Sequence, residues 1–276
     1  MALSPPPRAL LFDVFGTCVD WRTTVTTVLS HQAHFVLNAA TSSLATTVRM
    51  RASSLTAEDW GRFAQQWRDS YMRFTRSIAQ DESAPWKSVD EHYLSSLREL
   101  LQTWQLEGLW TDEETRTLSL IWHRLDPWSD AARGIEELNK LFYTCTLSNS
   151  NSGLLNDLKA YAKLEFTHVF GAEEFGTYKP HDRFYRGAVE KLGLQPGECA
   201  LVAAHLYDLK AAKACGIRTI YVERPLEEDY SVEDVAKARQ EGWVDLWLGA
   251  DEEGFITVAE RLGVDVNRER KRSVSH

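Results

Sequence analysis

Positive charge is what this chain is shortest of: 31 Lys and Arg stand against 40 Asp and Glu, for a formal net charge of -9. A nucleic-acid surface needs clustered positive charge, so no nucleic-acid partner is expected. The one basic cluster, RERKRS at 268–273, lies near the terminus and reads as a solvated tail. Long apolar runs are missing as well. No window approaches the ~20 residues of a membrane-spanning helix, and the opening MALSPPPRAL has neither the basic start nor the apolar centre of a secretory signal. The expectation is a soluble cytoplasmic protein with no membrane partner. Cysteine is scarce. Cys18, Cys145, Cys199 and Cys215 have no C-x-x-C spacing and no matching His pattern, which suggests neither a zinc site nor a redox pair. Cys145 and Cys199 sit in apolar, strand-like runs and are expected to be buried reduced thiols.

What is present is ordinary globular composition, 43% hydrophobic and 26% charged, on a chain of 276 residues. That length buries a full core and accommodates one large domain or a domain with an insertion. The run Ala9, Leu10, Leu11, Phe12 reads as a buried strand and Gly16 as the turn after it. From residue 21 to about 125 the pattern is helical. TAEDWGRFAQQWRDSYMRFTRSIA opens on Thr56 and Asp59 in capping positions, with Trp60, Phe63, Trp67, Tyr71, Phe74 and Ile78 recurring at three and four. The same plan repeats from Ser88 and Glu91, and again from Thr111 and Glu114. Strands and helices then alternate: LFYTCTL, a helix from about Gly153, FTHVFG, a helix from about His181, CALVAA, DLKAAKACG, RTIYV, and finally VDLWLG with GFITVAERLG. Alternation of this kind implies an α/β fold, a doubly wound parallel sheet with helices on both faces. The first strand belongs to that sheet. Residues 1–20 and 125–276 are therefore expected to form the core, and 21–124 a helical insertion placed as a lid beside the sheet edge.

Four strand ends carry polar residues. Asp13 ends the first strand, at the edge where open α/β sheets bind ligands, although an Asp there also caps turns. LFYTCTLSNS ends on Ser148 and Asn149, donors that are equally common in plain turns. GTYKPHDRFY supplies Lys179, with Pro180 behind it and Tyr185 one helical turn further; a lone Lys is usually a solvated charge. LVAAHLYDLKAAKACG ends on His205 and Asp208, which by themselves fit a core histidine and a helix-cap acid.

Their order is informative. An Asp with Gly-Thr behind it, then Ser, then Lys-Pro, then an Asp-containing turn, with helices inserted after the first strand, resembles the haloacid dehalogenase superfamily over nearly the whole chain. The resemblance implies a Rossmann-like core with a helical cap. The superfamily's phosphatases resemble DxDGT, whose second acid protonates the leaving oxygen; here that position is Phe15. Their magnesium-holding acids after the fourth strand correspond to Ala203 and Ala204. Magnesium needs hard oxygen ligands, so no metal and no cofactor is expected. A halide leaves without a proton, and a carboxylate attacking carbon needs only desolvation and a positive group behind the anion. In QQWRDSYM, Arg68 follows Trp67 as in the Trp-Arg segment of the L-2-haloacid dehalogenases, although an exposed helix Arg is the commonplace alternative. LDPWSD at 125–130 stands where that family returns from cap to core.

The chain is thus similar to type II (S)-2-haloacid dehalogenases, and the resemblance implies roles. Asp13 attacks the second carbon of a short 2-haloacid, giving inversion and an enzyme ester. Lys179 keeps Asp13 ionised. Ser148 and the amides after Asp13 hold the substrate carboxylate, Arg68 and Asn149 receive the halide, and Tyr185 and Thr17 steady the nucleophile's surroundings. Asp208 orients or activates the hydrolytic water. The chain departs from the family at Ala203, Ala204 and His205, where well-known members resemble Ser-Ser-Asn, and at Phe15, where many have Tyr. An imidazole at 205 of near-neutral pKa is a candidate base. A homodimer is expected by resemblance. A phosphoester hydrolase of the same fold and a non-catalytic ligand-binding member are the alternatives.

Overall fold

Ala9 through Phe12 are buried on both faces and form β1, the centre of a six-stranded sheet. A computed structural model describes residues 3–39, 43–81, 83 and 85–266; the basic cluster at 268–273 lies outside the described residues. The other strands are β2 (Tyr143–Ser148), β3 (His168–Gly171), β4 (Cys199–Ala203), β5 (Arg218–Val222) and β6 (Leu246–Leu248). All pairs are parallel and the order is β3-β2-β1-β4-β5-β6. The order reverses at β1, whose Phe12 is in register with Thr146 on one side and Val202 on the other. In doubly wound sheets the crevice at this reversal, beyond the strands' carboxyl ends, is where ligands bind.

Helices α1 (Trp21–Asn38), α2 (Thr46–Ser53), α3 (Ala57–Gln80), α4 (Val89–Thr103) and α5 (Asp112–Ser119) follow β1 without an intervening strand among the described residues. Three of them begin with reciprocal capping boxes, Thr56 with Asp59, Ser88 with Glu91 and Thr111 with Glu114, as the spacing predicts. The third helical run gives way at Leu120–His123 to a tighter 3-10 turn. Aromatic residues hold this layer together: Tyr93 stacks on Trp122 at 4.6 Å and on Tyr71 at 5.5 Å, and Trp67 meets Trp122 edge-on. It is tied to the sheet's carboxyl edge by hydrogen bonds. Tyr71 Oη donates to the Asn149 carbonyl, Tyr178 Oη to the Lys87 carbonyl, and Asn151 Nδ2 to Asp90.

Helices α6 (Ala131–Leu138), α7 (Ser152–Ala162), α8 (Asp182–Lys191), α9 (Leu206–Ala214), α10 (Val232–Glu241) and α11 (Gly254–Arg261) complete the chain. The sequence reading does not anticipate α6 and α10, because α6 is short and α10 is mostly polar. All four cysteines are buried and free, as expected for Cys145 and Cys199. No described helix is long and apolar enough to cross a membrane.

Candidate active site

Asp13 leaves β1 at the point of reversal with both carboxylate oxygens engaged. Lys179 Nζ donates to Oδ1 at 2.9 Å; Thr17 Oγ1 donates to Oδ2 at 2.8 Å, and His205 Nδ1 lies 3.0 Å from Oδ2. Burial alone would raise this carboxyl's pKa. The charge of Lys179 and the hydrogen bond and charge of His205 outweigh it and hold Asp13 far below the usual carboxylate range. Asp13 is therefore an anion at every working pH. Thr17 is itself oriented by the Ala204 amide, which donates to its hydroxyl at 2.9 Å.

Lys179 is buried between two carboxylates, Asp13 and, at 2.6 Å, Asp208. Burial would lower its pKa, and the two acids raise it well above the ordinary lysine value. The other Asp208 oxygen accepts from Tyr185 Oη at 2.5 Å. Asp208, expected to orient or activate the hydrolytic water, lines neither of the two cavities of the site; its two oxygens meet Lys179 and Tyr185, and it anchors the lysine. Tyr185 steadies the nucleophile's surroundings through Asp208, which in turn holds Lys179. Asn149, expected to receive the halide, lines the cavity over Asp13; its Oδ1 accepts from the Lys179 amide at 2.6 Å and its Nδ2 donates to the Lys179 carbonyl, so the side chain also clamps the lysine's backbone. Ser148 ends β2 fully buried, with an Oγ that finds no partner among the described residues.

His205 faces a second acid that sequence reasoning missed. Its Nε2 lies 3.4 Å from Glu227 Oε2, and Trp21 Nε1 donates to the same oxygen at 3.1 Å. Glu227 follows β5 in the loop RPLEED and is buried. Reading polar residues at the end of β5 as at the other strands would have found it. Burial pushes the His205 pKa down, but the hydrogen bonds and charges of Asp13 and Glu227 override it and carry the ring up to about 10. The near-neutral imidazole expected from the sequence is thus an imidazolium in the resting site. Gly16 makes room for this arrangement: at φ +83° it suits glycine, and a Cβ there would lie 1.9 Å from Glu227 Oε2.

Over Asp13 lies a cavity of about 270 Å³ walled by Phe15, Tyr71, Met72 and Tyr207, with Arg68 projecting from α3. Arg68 is buried, which corrects the alternative of an exposed helix arginine. Its guanidinium carbon sits 4.6 Å from the Tyr71 ring centre, 5.4 Å from Phe15 and 5.7 Å from Trp21. It pairs with no carboxylate, and Nη1 has no hydrogen-bond partner among the described residues. A second cavity of about 310 Å³ opens on the other side of Arg68 and Tyr207, lined by His205, Glu227, Trp21 and Asp69 among others.

The motif order, the reversal-point Asp and its Lys now meet independent comparisons. Residues 7–216 match the model of the haloacid dehalogenase-like hydrolases. The chain belongs to that family. Within it, the chain is similar to (S)-2-haloacid dehalogenase 4A of Burkholderia cepacia, 27% identical over 225 residues that cover 79% of this chain and 83% of the relative. Two crystal structures align over 93% of the chain: an L-2-haloacid dehalogenase at 31% identity, covering 99% of that chain with a TM-score of 0.75, and a defluorinating L-2-haloacid dehalogenase at 29%, covering 95% with a TM-score of 0.76.

By the resemblance, the magnesium-holding acids of the family's phosphatases correspond to positions 203 and 204, at the end of β4. The donors here do not fit a hard divalent cation: Ala203 and Ala204 replace the acids, and Lys179 and His205 place positive groups on the two oxygens of Asp13. Among the described residues no group of three or more His, Cys, Asp or Glu is placed to hold a metal ion.

Proposed function

We propose that this protein is a hydrolytic (S)-2-haloacid dehalogenase that converts a short 2-haloalkanoic acid to the 2-hydroxy acid with inversion, through an ester on Asp13. One observation carries the reading: a buried guanidinium, Arg68, that has no carboxylate in ion-pair contact among the described residues and an unpartnered Nη1, ringed by aromatic side chains across a small cavity from an ionised, desolvated carboxylate. An unpaired buried cation is costly unless a ligand supplies the anion. A departing halide supplies it at the moment its charge develops. The relatives' names, (S)- and L-2-haloacid dehalogenases, support the same substrate class.

In this mechanism residues 21–124 act as the cap that carries Arg68, and residues 1–20 with 125–276 as the core that carries the nucleophile. Asp13 attacks the second carbon from the side opposite the halogen; the carbon–halogen bond breaks and the halide leaves toward Arg68. Ser148 and the amides following Asp13 take the substrate carboxylate, which gives the orphaned Ser148 hydroxyl its partner. Ester formation removes the negative charge beside His205. Burial then lowers the pKa of the ring, Glu227 alone opposes it, and the proton leaves by the second cavity. The neutral imidazole takes a proton from the water that attacks the ester carbonyl; the bond from that carbon to the substrate oxygen then breaks, the remaining proton of the added hydroxyl passes to the leaving oxygen, and Asp13 is regenerated as the hydroxy acid departs. His205 is thus a cation during alkylation and a base during hydrolysis.

Halide release from (S)-2-chloropropionate, undiminished by a chelator, is the expected result. With enzyme in excess in heavy-oxygen water, the label should enter Asp13 and be absent from the first-turnover product. Magnesium-stimulated phosphate release without halide release refutes the proposal in favour of a phosphoester hydrolase.

A further inference from the structure

The halide and carboxylate groups of a simple haloacid leave one cation of the substrate cavity without work. Arg68, Met72, Arg76 and Gln80 line the cavity at every fourth position of α3, a single stripe that runs outward from the buried Arg68. The guanidinium of Arg76 lies over the Tyr207 ring, 5.4 Å from its centre, where the two cavities meet. No carboxylate pairs with it among the described residues. Among the described residues Asp13 is the one acid lining the substrate cavity, and it is already matched by Lys179 and His205. The cavity therefore presents two unmatched guanidinium groups, one deep and one at the mouth, of which the departing halide satisfies the deep one. Space agrees with charge: a cavity of about 270 Å³ is roomier than the roughly six heavy atoms of a three-carbon haloacid require.

We propose that Arg76 forms a distal anion subsite, so that the acids this cavity takes best are 2-halodicarboxylates, whose second carboxylate lies beyond the reacting carbon and pairs with Arg76 over the Tyr207 ring. The inference rests on the dehalogenase reading for the chemistry at Asp13, and on the stripe of α3 for the second carboxylate. Arg76 is an exposed residue at the cavity mouth, and this suits the role, because its guanidinium stays hydrated when the cavity is empty and is covered only when a long acid fills it.

The test compares 2-chlorosuccinate with 2-chloropropionate as substrates of the wild type, Arg76→Gln and Arg76→Lys. The wild type should favour 2-chlorosuccinate by about tenfold or more in kcat/KM. Arg76→Gln should erase that preference while 2-chloropropionate stays within about twofold, and Arg76→Lys should keep part of it. A wild type that favours 2-chloropropionate, or a Gln variant that loses both substrates equally, overturns the subsite. Calorimetry with the halogen-free acids separates this from failure of the dehalogenase reading. Should neither haloacid release halide, tighter binding of succinate than propionate that Arg76→Gln abolishes still supports the subsite, and equal binding of the two refutes it.

Discussion

Replacing His205 by Asn tests the charge pattern of the site most sharply. At 3.0 Å and an effective dielectric of about 20, the attraction between His205 and Asp13 is roughly 5 kcal/mol before the cost of burying the ring is subtracted. The variant also strips Glu227 of its cationic partner and leaves it a buried acid held by Trp21 alone. Breaking a buried pair from one side costs about 3–5 kcal/mol. Near neutral pH we therefore expect about 3 kcal/mol of destabilisation, which lowers Tm by about 6 °C or more in a chain of this size. The folded ring holds its proton up to about 10, against an ordinary value of 6.5. The stabilisation is thus fully present below about pH 6.5 and fades as pH rises through about 10, and the gap in Tm between wild type and variant should close over that window. Adding Glu227→Gln should restore part of the loss, since the orphaned acid is gone. In rapid-quench experiments the variant should still alkylate Asp13 and accumulate the ester, detected by mass in the peptide ALLFDVFGTCVDWR. An equal Tm loss at pH 6 and pH 10.5, or an ester that turns over at the wild-type rate, refutes the two-state role of His205.

Lys179→Met should slow alkylation by at least about a hundredfold and raise the acid limb of its pH profile, because Asp13 loses the larger of the two charges that hold it ionised; single-turnover rates from pH 4 to 8 measure both. Arg68→Ala should cost a comparable factor in alkylation yet leave Tm unchanged or higher, since it removes a buried cation with no partner; a large Tm loss would make Arg68 structural. Gly16→Ala should lower stability by more than about 2 kcal/mol in urea unfolding, because it combines a positive φ with a Cβ driven into Glu227; a neutral effect would show that Glu227 sits elsewhere.

The sequence by itself determined the parallel α/β core, the helical insertion after β1, and the succession Asp13, Ser148, Lys179, His205 and Asp208 along the strand ends. These are local signals: periodicity marks each element, and every strand of a parallel sheet delivers its last residues to the same edge. Arg68 was legible as a candidate for the same reason, since its place beside Trp67 on an amphipathic helix is written within one turn. Which partner each of these residues finds is not local. Asp208 and Tyr185 sit 23 positions apart, and only the packing of α8 beside α9 turns both toward Lys179 and away from the cavity. Glu227 is 22 residues from His205 and 206 from Trp21, in a loop whose three consecutive acids Glu227, Glu228 and Asp229 read as solvated surface. The fold buries the first of them against the ring and thereby decides the charge of His205. A pKa is set by burial and by charges a few ångströms away, and sequence spacing carries neither; the identity of the titrating groups was written in the chain, and their protonation states were decided by the tertiary structure.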